Sequence, residues 1–313
     1  VITLFEVRTY PEFSWSLSRH KTLLNCTRKY YYDYYASHNG WLYDSSALAK
    51  DAYRLKKLTT LEMFFGQALH NIIHNVIKNY LSSGTIPTEK ELIDKLRYLL
   101  NLAFIDSTQR KTFWTAKPKH YTMFHEIYYG GSLPPEKVKD IQNRLAVCVT
   151  NFLKSKTFQD LTSSKQMRFI ESERFRTMDL DGTKVFIVMD FVYRDIDNGK
   201  WIIVDWKTGK ESDDDKSQLA LYALYLQKAY KVQSLDEIEI RNEYLLTGTN
   251  RSHSLTKQDL DRVQELSGMS VQEMLRFLED DEKNKPLALQ AFPKNEHPKK
   301  CSRCNFSELC EMY

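Results

Sequence analysis

The stretch Trp201-Ile202-Ile203-Val204-Asp205-Trp206-Lys207-Thr208-Gly209 decides how this chain is read. Its aliphatic, β-branched run belongs in the interior of a sheet, yet it ends on a carboxylate and an amine. Alternate residues of a strand point the same way, so Asp205 and Lys207 leave one face together. Just upstream, Asp197-Asn198-Gly199 is a hairpin-turn signal. The β-forming segment Val185 to Arg194 then supplies the strand that pairs back, and it carries Asp190 behind Val185-Phe186-Ile187-Val188-Met189.

A carboxylate in such apolar company is costly unless it is compensated. Two of them side by side repel, and one would keep its proton at neutral pH. A divalent cation relieves both problems, and hard oxygen ligands favour Mg2+ or Mn2+. Lys207 would stand where it can orient or activate an attacking water and balance the charge of a phosphate, which is the logic of phosphodiester hydrolysis by metal and positioned charge. An isolated Asp-x-Lys is more often a plain salt bridge, so the surrounding pattern carries the weight.

Working outward, Ser14 to Ser18 caps a helix expected to run to about Tyr35. A second helix, from about Thr60 to Leu81, shows an apolar face of Leu61, Phe65, Leu69, Ile73, Val76, Ile77 and Tyr80, with His70 beside it. The pattern stays helical from Pro87 to Phe158, broken near Gly130-Gly131 and Pro134-Pro135, and Cys148 falls on an apolar stripe as a small hydrophobe. Met167 to Thr177 alternates as one strand, placing Glu171 and Glu173 on a common face that suits either a supporting role at the site or a salt bridge. The triplet Asp213 to Asp215 reads as a solvated loop before a helix over Ser217 to Tyr230. A strand over Ile238 to Leu246 and a helix over Thr256 to Leu278 lead into a Pro- and Lys-rich tail. The plan is α/β: helices, a small sheet, then helices again.

Across 313 residues, 42% hydrophobic and 27% charged content suits a soluble globular protein with a sizeable core. No run reaches the length of a membrane span and no signal or transit segment is recognised, so a cytoplasmic location without a membrane partner is expected. Cys26 stands near one end, and Cys301, Cys304 and Cys310 form a Cys-x2-Cys-x5-Cys tail at the other. Four soft thiolates suit a 4Fe–4S cluster or a tetrahedral zinc, and spacing alone does not separate them. Tying positions about 275 residues apart removes roughly 5 kcal/mol of unfolded-chain entropy.

Aromatic and basic residues cluster at Arg28-Lys29-Tyr30-Tyr31-Tyr32 and from Arg110 to Tyr129, a mixture that suits either single-stranded nucleic acid or a packed core. Arg110, Lys111, Trp114, Lys117 and Tyr121 are the candidates for a strand-binding surface. His70 and His74 are spaced as in zinc proteases, but Asn71 stands where that chemistry needs Glu. No Gly-x4-Gly-Lys-Ser/Thr motif occurs, so helicase activity is not encoded.

Taken in order, these motifs resemble the PD-(D/E)XK nucleases, specifically the RecB-like branch that carries iron–sulfur clusters. Gly66-Gln67-Ala68-Leu69-His70 matches its Gly-x-x-x-His helix, and Asp190 its strand-end Asp. Asp205-Trp206-Lys207 is the Asp/Glu-x-Lys, and Gln218-Leu219-Ala220-Leu221-Tyr222 the Gln-x-x-x-Tyr helix. Ser16-Leu17-Ser18-Arg19 through Cys26-Thr27-Arg28-Lys29-Tyr30-Tyr31 is similar to the branch's opening helix.

The resemblance implies a restriction-endonuclease-like mixed β-sheet flanked by helices, with 1–313 as one nuclease domain and 83–165 as a helical insertion. It implies that His70, Asp190, Asp205 and the Trp206 carbonyl hold Mg2+ or Mn2+, with Lys207 as the catalytic lysine. Gln218 and Tyr222 would face the site and contact DNA or the lysine. The four cysteines would carry a 4Fe–4S cluster. The implied activity is exonucleolytic cleavage of single-stranded DNA in repair, recombination or CRISPR adaptation, with the protein partners of such complexes. A non-catalytic DNA-end-binding or adaptor subunit is the alternative. One departure is that many relatives place a Gly shortly before the strand Asp, whereas Ile187 to Met189 contains none.

Overall fold

The computed structural model describes residues 7–163, 166–209 and 215–312. Helix α1 (Leu17–Asn25) starts where the Ser16 hydroxyl accepts the Arg19 N–H at 3.2 Å. The expected run to Tyr35 does not hold, because Cys26 is extended (φ −166°) and interrupts it. The Cys26 Sγ instead accepts the Lys29 N–H at 3.4 Å and caps α2 (Thr27–Tyr31), which passes into a π-helical turn over Tyr32–Ala36. A short α3 (Ala47–Leu55), not anticipated, precedes α4 (Leu61–Ser83), which Thr60 caps and a left-handed Gly84 ends. Then come α5 (Glu89–Gln109), α6 (Lys111–Ala116), α7 (His125–Gly130), α8 (Pro135–Leu153) and α9 (Lys156–Ser163).

The strands are β1 (Met167–Glu171), β2 (Arg174–Leu180), β3 (Thr183–Met189), β4 (Phe191–Asp195) and β5 (Lys200–Lys207). Helix α10 (Asp215–Tyr230) crosses to β6 (Ile238–Tyr244), and β7 (Thr249–His253) and α11 (Lys257–Leu275) follow. The main sheet runs β1-β4-β5-β6-β7, with β5 and β6 parallel and the other pairs antiparallel. Strand β5 is covered on both sides, which is why its sequence is continuously apolar. Ile203 packs with Ile240, α10 and α11, whereas Ile202, Val204 and Trp206 pack with α4 and α8.

Two expected strands prove to be four. Met167 to Thr177 breaks at Glu173, whose φ is +51°, and Val185 to Arg194 breaks at Asp190. Between those acids the chain leaves the main sheet as a β2–β3 ribbon, closed at its base by the Glu173 N–H donating to the Met189 carbonyl at 3.0 Å. Asp190 therefore sits where ribbon and sheet meet, rather than within β5's partner strand. Trp15 pairs along the ribbon, exchanging backbone hydrogen bonds of 2.8 Å with Lys184 and Phe186. The loop expected over Asp213 to Asp215 lies outside the described residues at 213 and 214, and α10 begins at Asp215.

The chain ends with a small hairpin of β8 (Leu278–Asp280) and β9 (Lys285–Pro286), then α12 (Pro298–Cys301) and α13 (Ser307–Met312). This tail packs on the opening helices. Arg28 Nε donates to the Phe292 carbonyl at 2.6 Å, Asn295 Nδ2 to that of Asn25 at 2.6 Å, and the Tyr32 hydroxyl to that of Leu309 at 3.2 Å. Tyr32, Leu55, Trp114, Phe306 and Leu309 share one apolar cluster. Among the described residues, no helix is long and apolar enough to cross a membrane.

Candidate active site

Three segments deliver the polar groups: the middle of α4, the Glu173/Asp190 base of the ribbon and the end of β5. Asp190 Oδ2 accepts the Trp206 N–H at 2.8 Å, which fixes the carboxylate against the adjoining strand. His70 Nδ1 lies 3.5 Å from that oxygen and 3.7 Å from Glu173 Oε1. One ligand atom each from His70, Glu173 and Asp190 falls within 4.8 Å of the others, the single such group among the described residues. Asp205, 3% exposed, lies outside this trio. Lys207 Nζ stands 2.7 Å from its Oδ2 as an ion pair, yet that oxygen accepts no well-aligned hydrogen bond.

The electrostatics are those of an over-acidic pocket. Burial, reinforced by Asp190, pushes the Asp205 carboxyl up to about 7 against the pull of Lys207 and His70. Burial works against a charged His70, but Asp190 and Glu173 together outweigh it and raise the imidazole to about 10. Burial, with Asp205 and Asp190 behind it, also holds the Tyr222 hydroxyl well above its ordinary value. An imidazole nitrogen and closely set carboxylate oxygens form a donor set that suits a hard divalent cation.

The four cysteines meet, as their spacing suggests. Cys26, Cys301, Cys304 and Cys310 line one cavity of about 700 Å³ together with Lys29 and Tyr129. Burial raises the Cys304 thiol, and burial with Cys304 and Cys26 nearby pushes Cys310 up to about 11. Four sulfurs on one tetrahedral zinc, with bonds of about 2.3 Å, would lie about 3.8 Å apart. Among the described residues no three of these thiols come within 4.8 Å of one another. Four thiols lining one cavity form a soft donor set of the kind that holds a tetrahedral zinc or an iron–sulfur cluster.

A family model, the PD-(D/E)XK nuclease superfamily, matches residues 14–311. This chain belongs to the PD-(D/E)XK nuclease superfamily. The match takes in both ends of the cysteine site, and the five-stranded mixed sheet between helices is a restriction-endonuclease-like fold. No curated protein matches the chain.

Within this superfamily member, Gly66 has a steric task. A Cβ there would meet Thr208 Oγ1 at 3.1 Å, so glycine lets α4 lie against the end of β5 and deliver His70. Gln218 and Tyr222 share one face of α10, and the Gln218 amide donates to the Tyr222 hydroxyl. Glu173 is the member of the acidic group that the strand reading did not single out. It was paired with Glu171, but Glu171 is engaged by Arg176 at 2.7 Å and the Tyr230 hydroxyl at 3.1 Å, leaving Glu173 to the site.

His74 bonds the Ser172 hydroxyl and takes no part in the acidic group. The aromatic clusters resolve mainly as core. Trp114, Tyr30 and Tyr32 are fully buried, so Trp114 is withdrawn as a strand-binding candidate. Arg110 pairs with Asp106 at 3.0 Å, and Lys111 lies over the Tyr128 ring.

Proposed function

We propose that this superfamily member is a Mg2+- or Mn2+-dependent DNA nuclease of the RecB-like, iron–sulfur branch, acting on single strands from their ends. The observation that carries the reading is the convergence of His70, Glu173 and Asp190 within ligand distance beside the Asp205–Lys207 pair. His70, Asp190 and Asp205 would hold the cation with the Trp206 carbonyl, and Glu173 completes the acidic shell. When bound, a divalent cation polarises a phosphoryl oxygen and supports the attacking water.

The protein's own part is positional. Asp190 is fixed by a backbone N–H, and Asp205 would be a ligand of the cation. Lys207, 2.7 Å from Asp205, would orient the nucleophile and offset charge developing on the phosphate. The Gln218–Tyr222 pair would face the same groups and contact the strand or the lysine. Cys26, Cys301, Cys304 and Cys310 would hold a 4Fe–4S cluster that clasps the terminal segments and lies apart from the hydrolytic groups. Free thiols in this number suit a reducing compartment, the cytoplasm.

The test is cleavage of end-labelled single- and double-stranded DNA with Mn2+, the Lys207→Ala protein alongside. Metal-dependent shortening of the single strand by the parent chain only is the expected result. Equal turnover by the variant would remove the assignment.

A further inference from the structure

The β2–β3 ribbon does more than carry Glu173 and Asp190. Directly opposed residues of an antiparallel pair share a face, so Phe175 and Val188 stand together, as do Thr177 and Phe186. The opposite face, with Met178, Val185, Ile187 and Met189, is buried in the core. The first face is not: Phe175 is 80% exposed. Between this face, the start of α1 and α10 lies a cavity of about 310 Å³, floored by Leu17, Phe186 and Val188. Gln218 and Tyr222 line this cavity too, and the Tyr222 hydroxyl lies within electrostatic reach of Asp205 and Asp190.

We infer that this cavity is a stacking subsite for one unpaired base of single-stranded DNA, with Phe175 as the ring it stacks on. The inference rests on the nuclease reading above and deepens it. The position is right for a base next to the scissile phosphate. Phe175 lies two residues from Glu173 and faces Val188, two residues before Asp190, so it stands about 7 Å along the ribbon from the metal-binding groups.

The chemistry matches a nucleobase better than an apolar peptide. An aromatic platform and aliphatic floor meet a π-face, while the Gln218 amide and the Ser16 and Ser18 hydroxyls offer hydrogen bonds to a base edge. Lys21 among the lining residues places a positive charge beside the recess, suited to the phosphate backbone. A paired base cannot reach such a recess, so the subsite selects single strands by shape.

The experiment places 2-aminopurine at one position at a time in a single-stranded oligonucleotide and binds it to the Lys207→Ala protein, in which no cleavage intervenes. Stacking predicts a fluorescence change confined to one position, lost in Phe175→Ala and kept in Phe175→Trp. In the Lys207 protein, Phe175→Ala should raise KM for single strands about tenfold, the loss of one base stack, and act on KM more than on kcat. No position-specific signal, or one that survives Phe175→Ala, overturns the subsite while the nuclease reading stands. Absence of cleavage by the parent chain would instead remove the nuclease reading, and the fluorescence would still decide the stacking.

Discussion

The Trp206 N–H donates to Asp190 Oδ2 at 2.8 Å, so a strand that contributes one acid also aims the other. The ribbon returns to the sheet at Asp190, and this bond fixes the orientation of its carboxylate there. Beside Asp190, the Lys207 ammonium stands 2.7 Å from Asp205 Oδ2.

Lys207→Ala should therefore reduce cleavage by at least about 100-fold, since a positioned proton-handling or charge-balancing group contributes on that scale. Circular dichroism and single-strand binding should match the parent. The Asp205 carboxyl, relieved of its ion pair, should bind Mn2+ no more weakly than before, measured by calorimetry.

Cation binding should release protons. Without a cation, His70 is raised to about 10 and Asp205 to about 7, so at pH 7 the imidazole is protonated and the carboxyl is partly so. Ligands must shed those protons, and Mn2+ affinity should rise with pH. Calorimetry at pH 7 in two buffers of different ionisation enthalpy should show net release of about one proton or more. His70→Ala should lower that number; no release in the parent would contradict the arrangement.

The same shifts fix the sign of stability in the cation-free protein. Both groups have folded values above their ordinary ones. Each contributes stability fully present below its ordinary value, 6.5 for His70 and 3.8 for Asp205, and lost as pH rises through about 10 and about 7. The melting temperature in EDTA should therefore fall from pH 6 to pH 9, and Mn2+ should restore it at the higher pH.

Gly66→Ala separates geometry from stability. Alanine favours an α-helix over glycine by about 1 kcal/mol, which offsets its close contact of 3.1 Å with Thr208 Oγ1. The melting temperature should hold while turnover falls, because α4 is pushed from β5 and His70 with it. Thr208→Ala in the same chain should recover turnover; failure to do so would free Gly66 of this role.

Cys304→Ser should remove the visible absorbance of anaerobically purified protein and lower its melting temperature by about 10 °C, from the lost tie between the ends. A colourless parent containing zinc would replace the iron–sulfur assignment.

The main strand was legible because both its faces are buried, which writes a continuous apolar run ending on Asp205 and Lys207. Helix α4 was legible from its apolar face and caps. The division of the neighbouring strands was not, since alternation runs on through Glu173 and Asp190 while the backbone turns there. Glu173 and Glu171 look alike in sequence; Arg176, five residues away, and the distant Tyr230 distinguish them by claiming Glu171. The break at Cys26 escaped notice because its thiol caps the next helix locally, a role that helical periodicity does not report. Strand β7, Thr-Asn-Arg-Ser-His, is a polar, largely exposed edge with no apolar period to announce it. Trp114 is core although it sits among basic residues, because such a ring reads alike whether it meets a base or a core.

The bond from Arg28 to the Phe292 carbonyl spans 264 residues, and it sets a timetable for biosynthesis. At ribosomal speeds the opening helices wait roughly 10 to 50 s before their C-terminal partners emerge. Through that interval the Tyr32 ring, later sealed beneath Phe306 and Leu309, is open to solvent and to other nascent chains. A holding chaperone on residues 26–36 would guard this segment until Phe306 and Leu309 cover it.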